Sequence, residues 1–87
     1  MYKFRFTQTA SDDLARLDRK TAKRIFVKIG WLTENFSSIR PEPLSWQLRD
    51  MFKLRVGDYR VLYTVDDADA LIIVHYARHR REVYKIG

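Results

Sequence analysis

Met51-Phe52-Lys53-Leu54-Arg55-Val56-Gly57-Asp58-Tyr59-Arg60-Val61-Leu62-Tyr63 reads as two strands folded about a two-residue turn, Gly57-Asp58. This stretch decides the fold. A turn there pairs Val56 with Tyr59 and Arg55 with Arg60. Downstream, Asp66-Asp67-Ala68-Asp69 predicts a second turn. Leu71 to Tyr76 is a near-continuous apolar run, which fits a strand covered on both faces. The tail His79-Arg80-Arg81-Glu82-Val83-Tyr84 follows.

Upstream, Tyr2, Phe4 and Phe6 alternate with Lys3 and Arg5, the period of a strand. Thr7 to Asp12 is polar and rich in helix-capping residues. Ala10, Leu14 and Leu17 then mark a short helix. Asp12 and Asp13 are expected in its first turn, where negative charge suits the helix dipole. Asp18 is expected to cap a second helix, whose apolar stripe is Ala22, Ile25, Ile29, Leu32 and Phe36. Gly30 weakens that helix without ending it. Asn35 to Pro43 reads as a loop. The predicted fold is therefore α+β. A single domain, residues 1–87, holds an antiparallel β-sheet with an N-terminal helical pair packed on one face, in the order β-α-α-β-β-β.

With 87 residues the chain makes one domain, with room for one core and no elaborate pocket. Its formal net charge of +6 points to nucleic acid or an acidic partner. The absence of cysteine excludes disulfides and thiolate metal sites and suits a reducing cytosol. No apolar run reaches the length needed to cross a bilayer, and no signal-peptide pattern opens the chain. No membrane association is expected.

Several chemistries lack their residues. His75 and His79 are the only histidines. On a strand their spacing spans about 13 Å, too far to share one ion. No metal site and no cofactor is expected. There is no Gly-x-Ser-x-Gly elbow and no Gly-rich phosphate loop. Asp66, Asp67 and Asp69 read as a solvated turn.

What remains is a cluster of cations. Lys53 and Arg55 share one strand face, and Arg60 stands opposite Arg55, about 5 Å away. No acid is read between these groups, and Asp58 is the nearest candidate for internal pairing. Like charges set opposite each other cost stability unless an anion bridges them. A phosphate backbone supplies that anion. The bland alternative is a charged edge strand that blocks aggregation. The tail adds Arg78, His79, Arg80 and Arg81, then Tyr84. An aromatic ring beside cations suits nucleobase stacking. Tyr84 equally fits a core anchor, and His79 a plain surface residue.

Phe52 to Tyr63, the acidic turn and His79-Arg80-Arg81-Glu82-Val83-Tyr84 resemble the RelE/ParE superfamily of bacterial toxins, and most closely its RelE branch. The resemblance covers nearly the whole chain. It implies a cytoplasmic toxin of a type II toxin–antitoxin system. That toxin is a metal-independent endoribonuclease, an mRNA interferase acting in the ribosomal A site. The ribose 2′-hydroxyl attacks the adjacent phosphate and leaves a 2′,3′-cyclic phosphate. The implied catalytic residues are Lys53, Arg55, Arg60, Arg80 and Tyr84. Lys53 is a better base than Arg55, because arginine stays protonated. Arg78 is the alternative to Arg80 as the tail arginine. The implied RNA-binding residues are Lys53, Arg55, Arg78, His79 and Arg81. The implied partners are messenger RNA, the ribosome and a cognate antitoxin, with promoter DNA met only through the antitoxin complex. The alternative from another class is a ParE-like inhibitor of DNA gyrase, which does no chemistry.

Overall fold

The computed structural model describes residues 1–45 and 50–85, and for Tyr84 it describes the backbone alone. Strand β1 is Lys3–Phe6, helix α1 Gln8–Ala15 and helix α2 Arg19–Asn35. Strands β2 (Glu42–Pro43), β3 (Phe52–Val56), β4 (Tyr59–Asp66) and β5 (Leu71–His79) follow. Short 3₁₀ turns lie at Phe36–Ser38 and Val83–Lys85.

Both helices start at side-chain caps. The Thr7 hydroxyl accepts from the Ala10 amide, and the Asp18 carboxylate accepts from the Thr21 amide. Because α1 begins at Gln8, Asp12 and Asp13 fall beyond its first turn, contrary to the sequence expectation. Gly30 does not interrupt α2. The expected stripe is the one that packs: Ile25, Ile29 and Leu32 are fully buried, with Phe36 half-buried beside them.

The sheet order is β1-β5-β4-β3-β2. The hairpin register is the expected one, with Val56 opposite Tyr59 and Arg55 opposite Arg60. Gly57 takes φ +59, the left-handed backbone that glycine adopts without strain at a hairpin turn. Two features depart from the predicted sheet. Strand β1 runs parallel to β5, pairing Lys3 with Leu71 through Phe6 with Val74, so the sheet is mixed and not wholly antiparallel. The segment read as a loop contains β2, which sets Glu42 opposite Lys53. Its prolines, Pro41 and Pro43, favour extended backbone in the residues before them.

The main core lies between the helices and one sheet face. Leu54, Val56, Val61, Tyr63, Ile72, Val74 and Ala77 point into it. Burial pushes the Tyr63 hydroxyl up to about 12. Strand β5 carries a bulge. Leu62 pairs with Tyr76 while Tyr63 pairs with Val74, which leaves His75 as the extra residue. A second, smaller cluster forms on the other face, where Leu44, Leu62 and Val83 pack with Met51 and Tyr76. It fastens the chain's tail beneath the sheet.

Candidate functional site

Residues directly opposite in a β-ladder point to the same face. Arg55 pairs with Arg60, and Arg60 with Arg78. Three arginines thus make one row across β3, β4 and β5. The next row is Lys53, Leu62 and Tyr76. Their strand neighbours Leu54, Val56, Val61 and Ala77 occupy the core under the helices. The cationic rows therefore belong to the face away from the helices. Leu62 and Tyr76 hold Val83 on that same face. The predicted Lys53, Arg55 and Arg60 are brought together, and the tail returns to them.

Glu42 is the residue that sequence reasoning missed. Its carboxylate accepts from Arg55 Nη2 at 2.9 Å and stands 3.4 Å from Lys53 Nζ. The expectation of no acid among these cations is corrected. The hydrogen bond from Arg55 holds the Glu42 carboxyl below the usual carboxylate range, helped by the charges of Arg55 and Lys53 and opposed by partial desolvation. Lys53 lies largely covered, with 12 % of its side chain exposed, against 61 % for Arg55.

Arg60 is held differently. Its Nη1 donates to the carbonyl oxygens of Gly57 and Tyr59 at 2.9 and 2.8 Å. Among the described residues no carboxylate pairs with it. Asp58 reaches Arg80 and not Arg60. The Arg80 amide donates to the Asp58 carbonyl at 2.7 Å, and Arg80 Nε lies 3.9 Å from the Asp58 carboxylate. That contact seats Arg80 beside the hairpin turn, close to the start of β4, where Arg60 is the second residue.

The other tail residues diverge. Arg78 Nε donates to Asp13 at 3.0 Å, and its guanidinium lies over the Tyr76 ring. His79 pairs across the ladder with Tyr59, ring to ring at 5.5 Å, on the helix side of the sheet. Its Nδ1 accepts from the Arg81 amide. Arg81 is exposed in the turn. The Tyr84 side chain lies outside the described residues. His75 bonds Thr64 Oγ1 through Nε2 at 2.8 Å, and desolvation by burial lowers its pKa. The two histidines thus engage different neighbours. Among the described residues no three His, Asp or Glu side chains gather as metal ligands would.

Comparison with known proteins gives a consistent set of relatives. A family model described as the ParE toxin of type II toxin–antitoxin systems, parDE, matches residues 4–84. Toxin RelG of Mycobacterium tuberculosis is 33% identical over 85 residues, 97% of this chain and 97% of the relative. Toxin RelE of the same organism is 37% identical over 79 residues, 88% of this chain and 80% of the relative. Among solved structures, the RelBE2 toxin–antitoxin complex of M. tuberculosis matches with a TM-score of 0.79 at 31% identity, over 91% of this chain and 98% of that one. The isolated E. coli RelE toxin matches with a TM-score of 0.76 at 21% identity, over 98% and 93%, a likeness of fold alone.

Proposed function

The chain belongs to the RelE/ParE superfamily of type II toxins, and we propose that it is an endoribonuclease that cleaves messenger RNA on the ribosome. The observation that carries this reading is the gathering of Lys53, Arg55 and Arg60 on one sheet face with Arg80 beside the turn. The scissile phosphate would lie across Arg55 and Arg60. Attack by the ribose 2′-oxygen forms a P–O bond while the bond to the 5′-oxygen breaks. Negative charge grows on the phosphate in between. Fixed guanidinium groups stabilise that charge more in the transition state than in the ground state. Arg80 would face the departing 5′-oxygen and stabilise its charge until solvent protonates it to the 5′-hydroxyl, and Tyr84 would stack on a base to align the ribose.

The 2′-proton needs an acceptor. Lys53 is one candidate. Glu42 is the other, since it is the carboxylate that touches both Lys53 and Arg55. Its depressed pKa keeps it ionised in the neutral range but also makes it a weaker base, so its candidacy rests on its contacts with Lys53 and Arg55. Glu42→Gln is expected to lower the cleavage rate about 100-fold. In the unsubstituted protein cleavage should fall only in acid, below the usual carboxylate range, as Glu42 takes up a proton. The same group links to folding. Its depressed pKa contributes stability above the unfolded carboxylate pKa, and that contribution is lost as pH falls through the folded value. A pH–rate profile of both proteins checks this. An unchanged rate in Glu42→Gln would return the role of base to Lys53.

RNA cleavage implies the cytoplasm as the place of action. The described helices include none long and apolar enough to cross a membrane. The relatives' complexes with antitoxins support a cognate antitoxin as partner. The ParE description of the family model supports the second reading, inhibition of DNA gyrase without chemistry. Primer extension on messenger RNA after induction separates the two. Cuts inside translated codons are expected; intact message with relaxed or broken DNA would replace the nuclease with the gyrase inhibitor.

A further inference from the structure

Asp13 is the buried carboxylate among the described residues, and 64 positions separate it from its principal partner. The reason for its burial lies in the sheet. Strand β1 ends at Phe6, opposite Val74. Beyond Thr7, whose amide donates to the Val74 carbonyl and whose hydroxyl donates to the His75 carbonyl, no described strand pairs with the outer side of β5, and its edge amides need another acceptor. Helix α1 runs along this gap. One Asp13 oxygen, Oδ2, accepts from the Ala77 amide at 3.1 Å and from Arg78 Nε at 3.0 Å. Arg16 Nη1 stands 3.7 Å from the other oxygen. The Arg78 guanidinium then lies 4.8 Å above the Tyr76 ring.

These contacts fix the plane of Arg78. Its Nε–H is directed at Asp13, and the ring packs beneath it. A guanidinium carries five N–H donors in a rigid fork, so the Nη donors remain available after Nε–H is engaged. Arg78 is also the end of the row that contains Arg55 and Arg60.

We propose that Asp13 is a positioning residue for RNA cleavage, orienting Arg78 so that its Nη groups bind a phosphate beside the one held by Arg55 and Arg60. This rests on the endoribonuclease reading. A residue that merely fastens α1 to β5 would act whether or not Arg78 is present. A positioning residue acts only through Arg78, and a double-mutant cycle tells the two apart.

The test measures kcat/KM for cleavage of messenger RNA on programmed ribosomes, using the full chain. Asp13→Asn keeps an acceptor for the Ala77 amide but removes the charge that faces Arg78. It is expected to lower kcat/KM roughly tenfold. Added to Arg78→Ala, it should cost less than about twofold more. Equal losses in both backgrounds, or no loss in either, would overturn the proposal. If Asp13→Asn fails to fold, Arg78→Lys with Asp13 intact keeps the charge and lacks the fork. A roughly tenfold loss is expected there too, and a rate equal to that of the unsubstituted protein overturns the proposal. Cleavage by the unsubstituted protein with an additive cycle sinks the positioning role alone. No cleavage by the unsubstituted protein sinks the nuclease reading and this proposal together.

Discussion

Replacing Arg60 with alanine is expected to lower messenger RNA cleavage by about 1,000-fold while the fold stays intact. Arg60 sits in the middle of the arginine row, with Arg55 on one side and Arg78 on the other. The flanking guanidinium groups are each tied to a carboxylate, Arg55 to Glu42 and Arg78 to Asp13. Arg60 instead donates to two carbonyl oxygens of its own turn. These bonds aim the guanidinium without cancelling its charge. It is therefore the cation best suited to a phosphate whose charge grows during the reaction. The stability cost should be small, within about 0.5 kcal/mol, because the side chain is half-exposed and its carbonyl partners return to water. Arg60→Lys keeps the charge and loses the fork, so its rate should fall between the two. Single-turnover cleavage on ribosomes and a thermal melt check both variants. A folded Arg60→Ala protein that cleaves within tenfold of the unsubstituted rate would remove Arg60 from the chemistry.

The features legible in the sequence are those set by local pattern. The β3–β4 register follows from alternation about Gly57-Asp58, since a slip of one residue would turn Leu54 and Val56 out of the core. The stripe of α2 was readable for the same reason. Three features were not. The direction of β1 depends on its partner β5, more than 60 residues away, and nothing near Lys3–Phe6 encodes it. Asp13 looks like an ordinary acid on a short helix. Only the gap left by β1 shows why it is buried. Glu42 looks like a loop residue until two residues of β2 place it opposite Lys53. Among the candidate site residues, the alternation about the turn reaches Lys53, Arg55 and Arg60, whose strands it sets in register. Alternation along the tail does not reveal that ladder pairing with Tyr59 turns the His79 ring to the helix side.

The tail depends on a small apolar anchor, and breaking it should separate folding from function. Val83 is 1 % exposed and packs with Leu44 and Leu62, away from the main core. Val83→Ala removes two methyl-sized groups and should cost about 1.5–3 kcal/mol, the transfer term plus the cavity left behind. Val83→Asp is a stronger probe. Among the described residues the cluster around Val83 offers no cation to a carboxylate, so the tail should leave the sheet instead of burying the charge. The main core, whose buried members run from Ala10 to Ala77, does not include Val83 and should persist. The consequence for the site is large. Arg80 is held beside the hairpin by its amide bond to Asp58, and Val83 follows it by one turn of chain. Releasing Val83 lets Arg80 and the Tyr84 backbone drift from the phosphate position. A displacement of about 1 Å in a reacting group is enough to cost about 100-fold in rate. Val83→Asp is therefore expected to cleave about 100-fold more slowly while retaining the cooperative melt of its main core. Hydrogen exchange at residues 80–85 reports whether the tail has detached. Cleavage at the unsubstituted rate from a protein whose tail is shown to be free would mean that the tail takes no part in catalysis, leaving Lys53, Arg55 and Arg60 to do it alone.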